Sequence, residues 1–192
     1  MFHWMRHSLL FLLITMLPNL LWAEPVVVQQ VETELQDDLY LLDATIHFEF
    51  NETVLEALEH GVPLTMVLQL QVVRNDAGFW EPDVINLQLY RVLRFHALTR
   101  LYEIQDLEHG RSQSFAFRDI AIAALGEIQS LPVVDRRQLT TGESYVIELR
   151  ASLDIESLPL TLRPLAYLTS DWNLSSDWYH YPVPQLLEAS TL

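Results

Sequence analysis

The chain of 192 residues has no cysteine and no lysine, all 11 of its basic residues being arginine, and it has only 5 glycines. Lack of cysteine removes thiol nucleophiles, disulfides, thiolate metal ligands and a lipid-modified cysteine anchor. Lack of lysine removes the Schiff-base amine. Gly61, Gly78, Gly110 and Gly142 fall at expected turns, which leaves none for a phosphate-cradling loop. Neither is there a G-x-S-x-G nucleophile turn. Positive charge is scarce: 26 acidic side chains give a net charge of −15. This disfavours nucleic acid, whose binding depends on cationic neutralisation of phosphates, and an anionic membrane surface.

The sequence opens MFHWMRH, with one Arg, two His and no acid, and runs into SLLFLLITMLPNLLWA, apolar except around Pro18 and Asn19. Such a stretch is a secretory signal, because spanning a bilayer takes roughly 20 apolar residues. Cleavage is expected after Ala23, giving a soluble periplasmic chain; the alternative is an uncleaved anchor. Removal of Arg6 with residues 1–23 leaves 10 basic against 26 acidic side chains. The remaining length suffices for one domain, 24–184, that needs no disulfide or metal, with a frayed tail at 185–192.

Period-two alternation marks the strands. In LYLLDATIHFEF, 39 to 50, Tyr40, Leu42, Ala44, Ile46, Phe48 and Phe50 share one face. The same pattern predicts strands at about 26–35, 64–74, 85–96, 99–106 and 145–155, and another at 178–183. Connections between 64 and 106 are too short for parallel crossovers, so the series is antiparallel. Two short helices interrupt it. Asn51 caps the first, which carries Val54, Leu55 and Leu58; the second spans about 118–129, with Ile120, Ala121, Ala124 and Ile128 on one face. The fold class is mainly antiparallel β with two short helices; sandwich, partial barrel and single layered sheet all remain compatible.

The surviving chemistry is sparse. Ser112 and Ser114 in RSQSF suit a turn or cap better than a nucleophile. His47 and Glu49 share a strand face but lack the further ligands of a metal site, and no metal or cofactor is expected. Arg94 and His96 share a face, with Arg100 just beyond the bend; this cationic spot could hold a carboxylate or phosphate, or pair with acids such as Glu103 on neighbouring strands. Phe79 and Trp80 sit at a hairpin tip, GFWEP, where they could insert into a partner or fold back onto the sheet. In TSDWNLSSDWYHY, 169 to 181, Ser-Asp-Trp occurs twice. The turn formers between the copies favour an architectural role: Trp172 and Trp178 cover the end of the core while Asp171 and Asp177 cap turns. The alternative is an aromatic platform for sugar rings.

The runs GVPLTMVLQLQV (61–72), FHALTRLYEI (95–104), SQSF (112–115) and TSDWNLSSDWYHYPV (169–183), in that order and spacing, resemble the exported proteobacterial family called domain of unknown function 4390. The resemblance covers nearly the whole chain after residue 23. It implies a periplasmic protein of uncharacterised function, in some genomes encoded beside a nitrogen-regulation-type sensor kinase, and it carries over no catalytic residues.

These readings favour a non-enzymatic interaction or accessory module with a protein partner in the envelope, linked to a membrane sensor kinase or to envelope assembly. The rival is a cell-wall hydrolase or sugar-binding protein using the Trp172 and Trp178 region.

Overall fold

The computed structural model describes residues 24–76 and 84–184. The leader expected at 1–23, the tail from 185 and the tip bearing Phe79 and Trp80 lie outside the described residues. Strands β1 (Val26–Gln36) and β2 (Leu39–Phe48) form a hairpin in which Gln36 pairs with Leu39. Its two turn residues, Asp37 and Asp38, have φ of 49° and 68°. Aspartate tolerates this left-handed region, and the turn twists the way the strands do.

The meander β3 (Leu64–Arg74), β4 (Ile85–His96), β5 (Leu101–Asp106) and β6 (Ser112–Phe115) follows, every neighbour antiparallel. β8 (Tyr145–Leu153) joins the free side of β3, and β9 (Tyr179–Pro182) joins β8. The result is a six-stranded sheet, β6-β5-β4-β3-β8-β9, facing a three-stranded one, β1-β2-β7, in which β7 spans Glu127–Asp135. The apolar rows of both sheets merge in one core. The protein is therefore mainly antiparallel β with short helices, in an open two-sheet arrangement rather than a closed barrel.

The inward rows read from alternation are buried throughout β2, β3 and β8. On β4 only Leu93 of the apolar row is fully buried, while Ile85, Leu87, Leu89 and Phe95 are half-buried against the core. Three strands cannot cover the inner face of six.

Helix α1 (Glu52–Glu59) starts as the sequence requires, with the Asn51 side chain accepting from the Val54 N–H at 3.0 Å. The second helix is shorter than its apolar stripe suggested: α2 covers Arg118–Leu125, and Ile128 lies in β7. Its buried residues are Ala121 and Leu125, whereas Ile120 is exposed. Gly126 ends the helix where its backbone crosses that of β2, with the Ile46 N–H donating to the Gly126 carbonyl at 3.0 Å. Arg91, on the inner face of β4, holds the same junction: its Nη1 donates to the carbonyls of Leu125 at 3.1 Å and Glu127 at 2.6 Å. Burial pushes the guanidinium pKa down, opposed by Asp106, its cross-strand partner on β5. A third helix, α3 (Arg163–Leu168), lies in a stretch to which periodicity assigned no element; Pro164 starts it, its fixed φ suiting the first turn.

Candidate functional site

The helices gather at one end of the molecule. Leu64 at the start of β3 pairs with Leu93 near the end of β4, and Met66 pairs with Leu153 at the end of β8. The connections at that end carry α1, the turn at 97–100, and the segment 154–172 with α3. Side chains tie these pieces together. Asn51 Nδ2 donates to the Asp171 carbonyl at 2.6 Å, and Thr53 Oγ1 donates to Asp171 Oδ2 at 3.1 Å, fixing the start of α1 to the 3-10 turn Ser170–Trp172. At the other end of α1, Arg118 Nη1 donates to Glu59 Oε1 at 2.6 Å, which fixes the start of α2. Arg163 Nε donates to the carbonyl of the buried Leu158 at 2.9 Å, seating α3.

This helical pole concentrates the exposed apolar surface. Leu98, Phe117, Ile120, Leu160, Leu165, Tyr167 and Leu168 all lie there, and Leu107 is the other large apolar side chain exposed among the described residues. Leu168 is 85% exposed, Leu160 75% and Phe117 73%. Scattered single leucines need no explanation, but seven large exposed apolar groups at one end are more than scatter accounts for.

The residues singled out from the sequence are distributed differently. Arg94 and His96 do share the outer face of β4. Each engages β5: Arg94 Nη1 donates to Gln105 Oε1 at 3.1 Å, and His96 Nε2 lies 2.7 Å from Glu103 Oε2. The His96 hydrogen bond is the leading cause that holds the Glu103 carboxyl below its ordinary pKa. Arg100 sits exposed in the turn before β5 with φ 57°. Arg94 and His96 are thus each committed to a side chain of β5, and Arg100 follows on the turn with its N–H donating to the His96 carbonyl at 2.7 Å. Trp172 is 2% exposed and plugs the core beneath the pole. Trp178 is half-buried on the outer face of the larger sheet, with the Arg150 guanidinium 5.9 Å from its ring centre. Asp171 holds α1 rather than its own turn, and Asp177 is exposed, its carbonyl accepting from Ser176 Oγ at 2.8 Å. Between the two tryptophans, Leu174 and Ser176 run along β8: Leu153 N donates to the Leu174 carbonyl at 2.8 Å and Ser176 N to the Ala151 carbonyl at 2.9 Å.

At the opposite pole lies a cleft of about 490 Å³, lined by Tyr40, Arg136, Arg137, Tyr145, Glu143 and their neighbours. That volume would hold a small molecule. Its cations are already committed, however: Arg136 Nη2 lies 2.8 Å from Asp38 Oδ1, and Arg137 Nη2 lies 2.5 Å from Asp135 Oδ2. The side-chain hydrogen bond from Arg137, joined by the Arg137 backbone N–H, holds the Asp135 carboxyl at about 2. A lowered carboxylate pKa stabilises the fold fully above the ordinary value near ~3.9, and this contribution disappears as pH falls through about 2. In an NMR titration Asp135 should thus have its midpoint at about 2, and Arg137→Ala, which removes the side-chain hydrogen bond and keeps the backbone one, should raise it toward the ordinary range. An unchanged midpoint in the variant would mean that another group holds it. Among the described residues no group of three or more His, Asp or Glu side chains is placed to hold a metal ion.

Sequence reasoning did not single out the pole. Its signal was the run LPLTLRPLAYL, 158–168, where two prolines break both helical and strand periods but five leucines remain for too short an element to bury.

The family described as Domain of unknown function (DUF4390) matches residues 23–182, and the chain belongs to that family. No curated protein and no solved structure matches the chain.

Proposed function

We propose that this member of the family is a non-enzymatic interaction module of the periplasm whose contact surface is the helical pole, engaging a protein partner in the envelope. A membrane sensor kinase or an envelope assembly factor fits the role. The carrying observation is the concentration of exposed apolar side chains on α3, on the start of α2 and at the 97–100 turn, all mounted on a rigid two-sheet core. The acidic remainder of the surface keeps such a protein soluble while leaving one end adhesive.

The rival reading needs a platform for sugar rings and a carboxylate pair. Trp172, 2% exposed, has no face to offer, and one face of Trp178 is occupied by Arg150. Glu143 is the one acid among the described residues lining the 490 Å³ cleft, and it is engaged by Arg74 at 3.2 Å. Glycoside hydrolysis ordinarily takes two flanking carboxyl groups.

The test is capture from envelope extract with wild-type protein and with the double variant Leu165→Ser/Leu168→Ser. Both side chains are exposed, so the melt should stay within about 0.5 kcal/mol of wild type. Recovery of the partner should fall about tenfold or more, equivalent to ~1.4 kcal/mol or above. Equal recovery by the double variant would remove the pole from the account.

A further inference from the structure

The exposed apolar groups of the pole are interleaved with carboxylates in a fixed order. α1 crosses the pole between α2 and the segment bearing α3, as its ties to Arg118 at one end and Asp171 at the other require. Glu52, Glu56 and Glu59 are all exposed along it, Glu52 and Glu56 one turn apart. Phe117 and Ile120 lie beyond its C-terminal end, with Asp119 between them; Leu160, Leu165, Tyr167 and Leu168 lie beyond its N-terminal end, with Glu156 and Asp171 beside them. The local arginines neutralise only part of this set, Arg118 pairing with Glu59 and Arg163 with Glu156, and Glu52, Glu56 and Asp171 have no ion pair among the described residues. The pole therefore presents apolar patches on either side of an acidic ridge.

We propose that the helical pole receives a cationic, apolar segment of its protein partner, a stretch in which Arg or Lys alternates with Leu- or Phe-type side chains so that the cations meet α1 and the apolar groups meet α3 and the start of α2. The proposal rests on the interaction-module reading and adds the chemistry of the partner. Charge complementarity selects this occupant. A second copy would set one acidic ridge against another under two-fold pairing, where like charges oppose association. A bilayer carrying anionic lipid would be repelled by the same ridge.

The probe is a labelled synthetic amphipathic Lys/Leu peptide, with a Glu/Leu peptide of the same length as its counterpart, titrated with the purified protein by fluorescence anisotropy. Wild type should bind the Lys/Leu peptide in a salt-dependent manner and the Glu/Leu peptide at least tenfold more weakly. Leu165→Ser/Leu168→Ser should weaken Lys/Leu binding about tenfold, and Glu52→Gln/Glu56→Gln should weaken it severalfold. Glu32→Gln/Glu34→Gln on β1 makes the same charge change away from the pole and should leave binding unchanged. Equal weakening by the β1 pair would show diffuse attraction to an acidic protein and would overturn the proposal. So would comparable binding of the Glu/Leu peptide, dimerisation abolished by Leu165→Ser/Leu168→Ser, or binding to phosphatidylcholine vesicles lost in that variant. If the peptide arm fails while capture from envelope extract still depends on Leu165 and Leu168, the cationic chemistry is wrong and the interaction reading stands.

Discussion

Gly126→Ala is expected to cost about 3 kcal/mol or more, at or above the upper end of what overpacking usually costs. The reason is backbone against backbone. A Cβ on residue 126 would lie 1.8 Å from the Ile46 carbonyl oxygen and 2.9 Å from its carbonyl carbon. The Ile46 N–H is meanwhile bonded to the Gly126 carbonyl, so the strand cannot withdraw without losing that bond. Neither can α2 and β7 easily withdraw, because Arg91 grips the carbonyls of Leu125 and Glu127 on either side. Since φ at Gly126 is −86°, contact rather than conformation demands glycine here. Against a total stability of about 5–15 kcal/mol for a domain of this kind, the variant should be strongly depleted in cells and melt at much lower urea. A urea midpoint within about 1 kcal/mol of wild type would mean that the junction can open freely.

Trp172→Ala should cost about 3–5 kcal/mol, the range for truncating a fully buried aromatic. Trp178→Ala should cost far less, about 1 kcal/mol, from a half-buried ring and its cation–π contact with Arg150. Trp172→Phe should fall well below Trp172→Ala, for two reasons. Most of the apolar volume is kept, and the buried indole N–H, which has no hydrogen-bond acceptor among the described residues, is removed together with its desolvation cost. Denaturant melts of the three variants give the order; equal losses for Trp172→Ala and Trp178→Ala would contradict the placement of the two rings.

The repeated Ser-Asp-Trp thus divides its work. The first copy closes the core and anchors α1 through Asp171; the second leads into β9 with its tryptophan on the outer face. Sequence alone predicted an architectural role for both and could not separate them, because burial of a single ring depends on which sheet end it meets. Strands β2, β3 and β8 were legible because one face of each is buried along its length, which enforces strict alternation. β7 was not. Ser130 has φ 49°, and the register against β2 shifts twice, so Ile128, Leu131, Val133 and Val134 are buried without period two. Read as a continuation of the α2 stripe, Ile128 extended the helix past Gly126. β6 and α3 were too short to show a period at all. Arg94 and His96 were correctly placed on one face, and Glu103, expected as a cross-strand partner, does engage His96, while Arg94 takes the amide of Gln105 instead. The pole was invisible because its exposed apolar residues come from three connections that only the antiparallel registers bring together.

The most direct test of the central claim is site-specific photo-crosslinking in cells, with the photoreactive residue introduced in place of Leu168 at the pole or Thr141 in the opposite cleft. The account predicts a discrete protein adduct from position 168 and none from position 141. An adduct from 141 alone, or none from 168 while the protein is folded and abundant, would contradict it.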